Sequence, residues 1–170
     1  MSTARSRLGL AAVGGKIYAI DGSGGRSTLN SVEAYGPQLG AWALVASMSL
    51  KRSYHALVVL EGKVYAMGGH DDAGFLDTVE AYDPQADNWQ WMARMPQCLE
   101  LHAAAAMGGK IYVTGGLSQN NTVYVYDPST RRPTHGRSWR AWAPLGMPTP
   151  PQRWVASSTS SAGTTPALSV

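Results

Sequence analysis

Two histidines and one short acidic run are the side chains whose types would suit metal chemistry. His55 and His102 lie 47 residues apart, and His70 is followed directly by Asp71 and Asp72. Imidazole and carboxylate groups are common metal ligands. However, 47 residues is also the period of an internal repeat described below, so the two histidines occupy equivalent places in neighbouring units. This favours a structural role in partly buried positions over metal binding. The acidic run does not have the spacing of an EF-hand-type loop. We therefore expect neither a metal nor a cofactor.

The other reactive or charged groups give weaker signals. Cys98 is the single cysteine, so no intramolecular disulfide can form, and it has no neighbouring base that would activate the thiol. The segment 131–137 is basic, but the net charge is only +3 and the other basic residues are scattered. A nucleic-acid binder usually gathers them on one element. This segment could contact an acidic partner or RNA, yet a solvated loop is the simpler interpretation, and we predict no nucleic-acid partner.

The elements that position these residues come from an internal repeat. Three segments read GGKIYAIDG, EGKVYAMGG and GGKIYVTGG, and their tyrosines recur every 47 residues, at Tyr18, Tyr65 and Tyr112. Each is followed by a second related block, SVEAYGP, TVEAYDP or TVYVYDP, and then by a tryptophan. A period of this length is typical of an array of like supersecondary units.

Each unit contains four short apolar runs separated by turn residues. In the second unit the runs cover 55–60, 63–67, 78–82 and 89–95, with glycine, aspartate and proline between them. Runs rich in Val, Ile, Tyr and Trp between such residues predict strands. With 19 glycines and 10 prolines among 170 residues, and only 15% charged residues, the composition also favours an all-β fold. Each unit should be a four-stranded antiparallel meander, the building block of a β-propeller.

The repeat signature resembles kelch repeats, and most closely those of kelch-like substrate adaptors of cullin ubiquitin ligases. The residues that carry this resemblance are the glycine pairs, the tyrosine of the second block and the following tryptophan: Gly22, Gly68, Gly69, Gly115, Gly116, Tyr35, Tyr82, Tyr126, Trp42, Trp89 and Trp139. The resemblance implies three kelch repeats, at about 5–49, 52–96 and 99–148. Residues 149–170 hold the start of a fourth repeat and a Ser/Thr/Ala-rich tail, which we expect to be disordered from residue 157.

The units differ at a few positions. Asp21 replaces the first glycine of the first pair, which puts that turn in doubt, and Leu99 stands where Arg5 and Arg52 open the other units. The two arginines are expected to satisfy backbone carbonyls between blades. Because propellers typically have four to eight blades, three blades would form an incomplete arc with two uncovered outer faces. We expect these faces to pair in a homodimer or with further kelch blades.

Residues that could bind a partner lie on one end of the predicted blades. Loops on a rigid scaffold are where binding residues concentrate, and the loops between the second and third strands are the long ones. In the adaptors that the chain resembles, partners contact residues just after the glycine pair and at the start of the first strand. The implied partner-binding residues, together with polar neighbours in the same loops, are Arg7, Ser23, Arg26, Tyr54, His70, Asp71, Ser118 and Asn120. Leu101 and Leu117 hold the equivalent places in the third unit.

These observations predict a non-enzymatic protein-interaction module with a protein or peptide partner. The resemblance makes it a substrate-recognition domain of a ubiquitin-ligase adaptor, in fragment or truncated form. An actin-associated scaffold is a second possibility by family analogy. A propeller enzyme is a third, but no paired carboxylates or copper-type Tyr/His/Cys set occurs at corresponding positions. No apolar run is long enough to span a membrane and no signal peptide is evident, so we expect a cytoplasmic protein without membrane contact.

Overall fold

The fold consists of three four-stranded antiparallel sheets, or blades, in a computed structural model that describes residues 1–117, 122–129 and 142–144. Within each blade the strands follow one another in chain order. The first blade contains β1 (Gly9–Val13), β2 (Lys16–Ile20), β3 (Val32–Gly36) and β4 (Ala41–Val45); the second contains β5 (Ala56–Leu60), β6 (Lys63–Met67), β7 (Val79–Asp83) and β8 (Asn88–Trp91); the third contains β9 (His102–Met107), β10 (Lys110–Gly115), β11 (Val123–Tyr126) and β12 (Trp142–Pro144). The predicted all-β arc of three blades is confirmed.

None of the segments that the structure describes forms a helix with the length and apolar character needed to cross a bilayer.

The first two strands of each blade meet in two-residue hairpin turns. Gly14 and Gly15 both have positive φ, 58° and 72°, as a type I′ turn requires. In the second blade Glu61 takes the first of these positions at φ 51°.

Neighbouring blades pack face to face and bury two apolar cores. At the first junction Tyr18, Ile20 and Val32 of the first blade pack against Val64 and Tyr82 of the second. All five side chains are at most 3% exposed. The second junction repeats this arrangement between the second and third blades. The first and second blades are thus each covered, on one face, by the blade that follows in the chain.

The outward face of the first blade is uncovered by any described residue. The strand register makes Ile17 the equivalent of Val64, since each lies opposite the tyrosine of the following strand. Val64 is fully buried, whereas Ile17 is 40% exposed and nearby Leu10 is 63% exposed. On the far face of the third blade Met107 is 66% exposed. Among the residues that the structure describes, nothing packs on these two apolar sheet faces, which are the two ends of the arc.

Two departures from the repeat take a definite form in the structure. Asp21 keeps the backbone of the glycine that it replaces, with φ 54° against 59° for Gly68, so the turn in doubt is retained. In the third blade the residue opposite Tyr126 is Trp142. The sequence predicts Trp139 for this position, and the register corrects it because the preceding loop is longer than the repeat alignment suggests. Trp139 itself, the basic segment and the tail 149–170 lie outside the described residues.

Candidate partner-binding face

Three equivalent residues lead into the first strands of the blades and share an unusual backbone. Arg7, Tyr54 and Leu101 have φ values of 56°, 55° and 54°. Positive φ at a non-glycine residue is uncommon, and strained positions of this kind cluster at functional sites. We call these three residues the rim. They recur every 47 residues, so the strain belongs to the repeat and is not an accident of one loop.

Backbone hydrogen bonds between blades link the rim residues to one another. The N–H of Tyr54 donates to the carbonyl oxygen of Arg7 at 3.4 Å, and the N–H of Leu101 donates to that of Tyr54 at 3.1 Å. The rim therefore runs continuously across both blade junctions. The guanidinium carbon of Arg7 lies 4.8 Å from the ring centroid of Tyr54, within cation–π distance. The structure thus brings together two of the residues predicted to bind a partner.

A buried charged pair lies just before the rim in each of the first two blades. Arg52 donates to the carbonyl oxygens of Gly68 and Thr78 at 3.0 and 2.9 Å and to Glu80 at 3.0 Å. Both charged side chains are fully buried. Arg5 makes the same set of bonds in the first blade, to Asp21, Ser31 and Glu33. The predicted carbonyl contacts are present, but they lie within the arginine's own blade, not between blades, because the guanidinium reaches the ends of its own second and third strands.

The carboxylates of these pairs extend the network to the incoming chain. Glu80 accepts the N–H groups of Ser49 and Leu50 at 2.9 and 3.4 Å, which fixes the segment arriving from the first blade. Burial alone would raise the pKa of Glu33. The N–H groups of Ser2 and Thr3 and the Arg5 guanidinium outweigh this effect and lower that pKa to about 2. Sequence reasoning missed these glutamates, although VEAY in both blades was the available signal.

The polar loop residues predicted to bind a partner differ in their exposure and in their contacts within the chain. Arg26 is exposed, whereas Ser23 pairs with Ser6 in an isolated bridge. His70 pairs with Ser53 and packs edge-to-face on Phe75, with ring centroids 5.6 Å apart. The last two predicted residues, Ser118 and Asn120, lie outside the described residues.

The acidic run after His70 stabilises its own loop and the neighbouring one. Asp71 accepts the N–H groups of Ala73 and Gly74 at 2.7 and 2.8 Å, so its carboxylate closes a turn. Asp72 accepts hydrogen bonds from Thr28 in the first blade. These bonds, helped by Lys51, lower the pKa of Asp72 below its usual range. Over residues 1–117, 122–129 and 142–144, no group of three or more His, Cys, Asp or Glu side chains could hold a metal ion.

A shallow cavity of about 190 Å³ lies between the second and third blades on the same face. Its lining consists of Phe75, Cys98, Glu100 and Leu117. Phe75 and Leu117 are 60% and 62% exposed, and Cys98 is an exposed free thiol. Sequence reasoning missed Phe75 and Glu100. The signal for Phe75 was a single large aromatic residue in an otherwise polar loop.

The two equivalent histidines lie beneath this face and not on it. His102 is 8% exposed at the start of β9, and burial lowers its pKa to about 4. Burial, with smaller contributions from Arg52 and His102, lowers the pKa of His55 to about 3. Both rings are therefore neutral near pH 7. Burial of this kind agrees with the structural interpretation of these residues.

Comparison with known proteins supports the repeat assignment. Residues 4–49, 51–96 and 100–132 match the family model described as the Kelch motif. Among 164 matching chains of solved structures, the one titled "Structure of YjhT" superposes with a TM-score of 0.68 at 18% sequence identity. The match covers 85% of this chain and 53% of that one, so this chain spans about half its length. At this identity the likeness shows the fold alone. Comparison with curated proteins gave no match.

Proposed function

Since the chain belongs to the family of proteins built from Kelch motifs, we propose that it is a non-enzymatic protein-interaction module that binds an acidic peptide segment at the rim. The observation that carries this proposal is the position of Arg7, an exposed guanidinium at a strained backbone, stacked on Tyr54. A guanidinium fork binds a carboxylate through two parallel hydrogen bonds. No described acidic side chain forms an ion pair with Arg7, so the fork is available to a partner.

The surroundings of the rim support a peptide as the ligand. Arg7 supplies a positive group at one end of the face, and Leu101, 54% exposed, supplies an apolar surface at the other. The cavity lined by Phe75 and Leu117 could accept one apolar side chain beside them. We therefore expect the preferred segment to carry both an acidic and an apolar residue, bound across the two blade junctions.

The finer proposal is that the bound protein is a substrate for a cullin-type ubiquitin ligase and that binding takes place in the cytoplasm. Its support is the sequence resemblance of the glycine pairs and the VEAYDP block to adaptor kelch repeats. The exposed Cys98 thiol is compatible with a reducing compartment. Cell fractionation, and ubiquitin-chain analysis of captured partners with and without Arg7, test these two parts.

The binding proposal is tested with labelled peptide pools and fluorescence anisotropy. One pool carries random 12-residue peptides with fixed Asp or Glu positions, and the other carries Lys or Arg at the same positions. We expect the acidic pool to bind more tightly and Arg7→Ala to weaken that binding at least tenfold, as expected for a binding hot spot. Arg7→Lys should restore only part of it, because lysine lacks the fork.

Lys16 provides the matched control. It is an exposed cation at the start of β2, at the opposite end of the first blade. Lys16→Ala removes the same charge without altering the rim, so it should leave affinity unchanged. Equal binding of both pools, or equal losses in Arg7→Ala and Lys16→Ala, would show that the rim is not the binding site.

A further inference from the structure

The two junctions inside the chain are built from the same contacts. At the first junction Tyr18 and Tyr82 pack edge-to-face with ring centroids 5.5 Å apart, and at the second Tyr65 and Tyr126 do so at 6.3 Å. Both pairs have an interplanar angle of 63°. In each pair the first tyrosine comes from the second strand of one blade and the other from the third strand of the next. The tyrosine pair is thus a marker of how one blade follows another.

Backbone hydrogen bonds mark the same order. The glycine N–H after the second strand donates to the chain entering the next blade: Gly22 to Arg52 at 2.9 Å and Gly69 to Leu99 at 2.7 Å. The rim bonds described above make a second set with the same periodicity. Each junction therefore joins defined donors on one blade to defined acceptors on the next.

The ends of the arc present the two unmatched halves of one such junction. Tyr112 on the third blade is the equivalent of Tyr18 and Tyr65, and Tyr35 on the first blade is the equivalent of Tyr82 and Tyr126. Within the described residues, the N–H of Gly116 and the carbonyl oxygen of Leu101 form no hydrogen bond to another residue, and neither do the carbonyl oxygen of Arg5 and the N–H of Arg7. These four groups are the donors and acceptors that a third junction would use.

We propose that a second copy of this chain closes the arc, with the third blade of each copy packed on the first blade of the other. Tyr112 of one copy would then lie edge-to-face against Tyr35 of its partner. Gly116 would donate to the Arg5 carbonyl, and Arg7 would donate to the Leu101 carbonyl. Both contacts in the dimer are alike, as a twofold axis requires, and together they remove both open faces.

A second copy fits these ends better than an unrelated partner. The two faces complement one another by the rule that the chain itself obeys twice. Both carry exposed apolar side chains, Leu10 and Ile17 on the first blade and Met107 on the third. Closure would bring Arg7 of each copy beside Leu101 of the other, so the partner copy completes the rim.

Light scattering on the purified chain tests the assembly. The expected mass is about twice the 18.1 kDa of one chain. Leu10→Asp and Met107→Asp each place a charge on one open face, at positions equivalent to Leu57 and Leu60, which pack in the internal junctions. Each variant should shift the mass to that of one chain while the β-sheet circular dichroism is retained. Leu39→Asp, at an 85% exposed position in a turn, is the control and should remain dimeric.

Thiol cross-linking tests the order of the blades. Tyr112→Cys and Tyr35→Cys are made separately in a Cys98→Ser background, mixed, and treated with a short bifunctional thiol reagent. Only the mixture should give a cross-linked dimer at high yield. A wild-type chain of single-chain mass would overturn the proposal, as would cross-linking of Tyr112→Cys to itself. Arg7→Ala keeps the backbone N–H and should remain dimeric, so failure of the peptide-binding proposal is distinguishable from failure of this one.

Discussion

Replacing the buried ion pair of the second blade by the residues of the third should test how the repeat tolerates sequence change. The third blade has Leu99 where the second has Arg52, and Tyr124 where the second has Glu80. The backbones agree, because the N–H of Arg52 donates to the Leu29 carbonyl at 2.9 Å and that of Leu99 donates to the equivalent carbonyl at 3.2 Å. Charge has thus been lost from both positions together in the third blade.

The structure sets the expected costs. Arg52→Leu leaves Glu80 as a fully buried unpaired charge and removes two hydrogen bonds to carbonyls. Breaking a buried pair in this way costs about 3–5 kcal/mol, and Glu80→Tyr should cost about the same. The double variant leaves only neutral backbone groups without partners, each at about 1 kcal/mol. We therefore expect it to lose about 2–4 kcal/mol, much less than the two single losses combined.

Urea denaturation followed by tryptophan fluorescence measures these free energies of unfolding. A single domain is stable by only about 5–15 kcal/mol, so either single variant could unfold. The double variant would then be recognised by its recovery of a cooperative transition. Additive losses, or a double variant less stable than either single variant, would refute the reasoning that the two positions change as a unit. Lys63→Met, which removes one partner of the partly exposed pair with Asp83, is the control and should cost less than about 1 kcal/mol.

Three further changes follow from buried or strained positions. Asp21→Gly should raise the free energy of unfolding by about 1–3 kcal/mol near pH 7, because no described residue bonds to this buried carboxyl and burial raises its pKa. The stability gained, measured by urea denaturation, should shrink as the pH falls, because the wild-type carboxyl then takes up a proton and no longer carries a buried charge. Gly69→Ala should destabilise far more than Gly25→Ala in thermal melts, since both have φ near 90° but only Gly69 would place a Cβ 2.5 Å from a carbonyl oxygen. Because the pKa values of His55 and His102 are lowered to about 3 and 4, the unfolded chain binds more protons, and melting temperature should fall as the pH drops from about 6.5 to 3. Replacing both histidines by glutamine should flatten that slope.

The fold could be predicted from the sequence because the same pattern occurs in three consecutive units. Period-two apolar runs and turn residues recur every 47 residues, so an error in one unit is corrected by the others. Prediction failed where the third unit departs from the first two. Two tryptophans, Trp139 and Trp142, follow Tyr126 in the sequence, and only the strand register identifies Trp142 as the one opposite Tyr126.

For the candidate site, the sequence could predict that residues occupy equivalent positions in different blades, but not what they contact. The spacing of the units places Arg7 and Tyr54 at equivalent points, but it cannot show that their side chains stack. Sequence also could not show that Asp71 and Asp72 are engaged within the loops, because such bonds depend on how the loop folds back on itself. The partners of Arg52 were missed for the same reason, since Glu80 lies 28 residues away.

The third blade excludes one cause of the strained backbone of the rim. Leu101 has the same φ as Arg7 and Tyr54 to within 2°, although its blade lacks the arginine–glutamate pair. The ion pair therefore cannot be the cause of the conformation. What Leu101 shares with Tyr54 is the bond from its N–H to the preceding blade, and what Arg7 shares with Tyr54 is the bond from its carbonyl oxygen to the following one. All three units also share a bond within the blade, because the carbonyl oxygen of the residue before the rim accepts the N–H of the residue after the glycine pair. The three bonds are Ser23 to Ser6 at 2.7 Å, His70 to Ser53 at 2.8 Å and Leu117 to Glu100 at 3.3 Å. The backbone at Arg7 is therefore held by the paired bonds between Ser6 and Ser23 as well as by the 3.4 Å bond from Tyr54, whereas its N–H bonds to no other described residue.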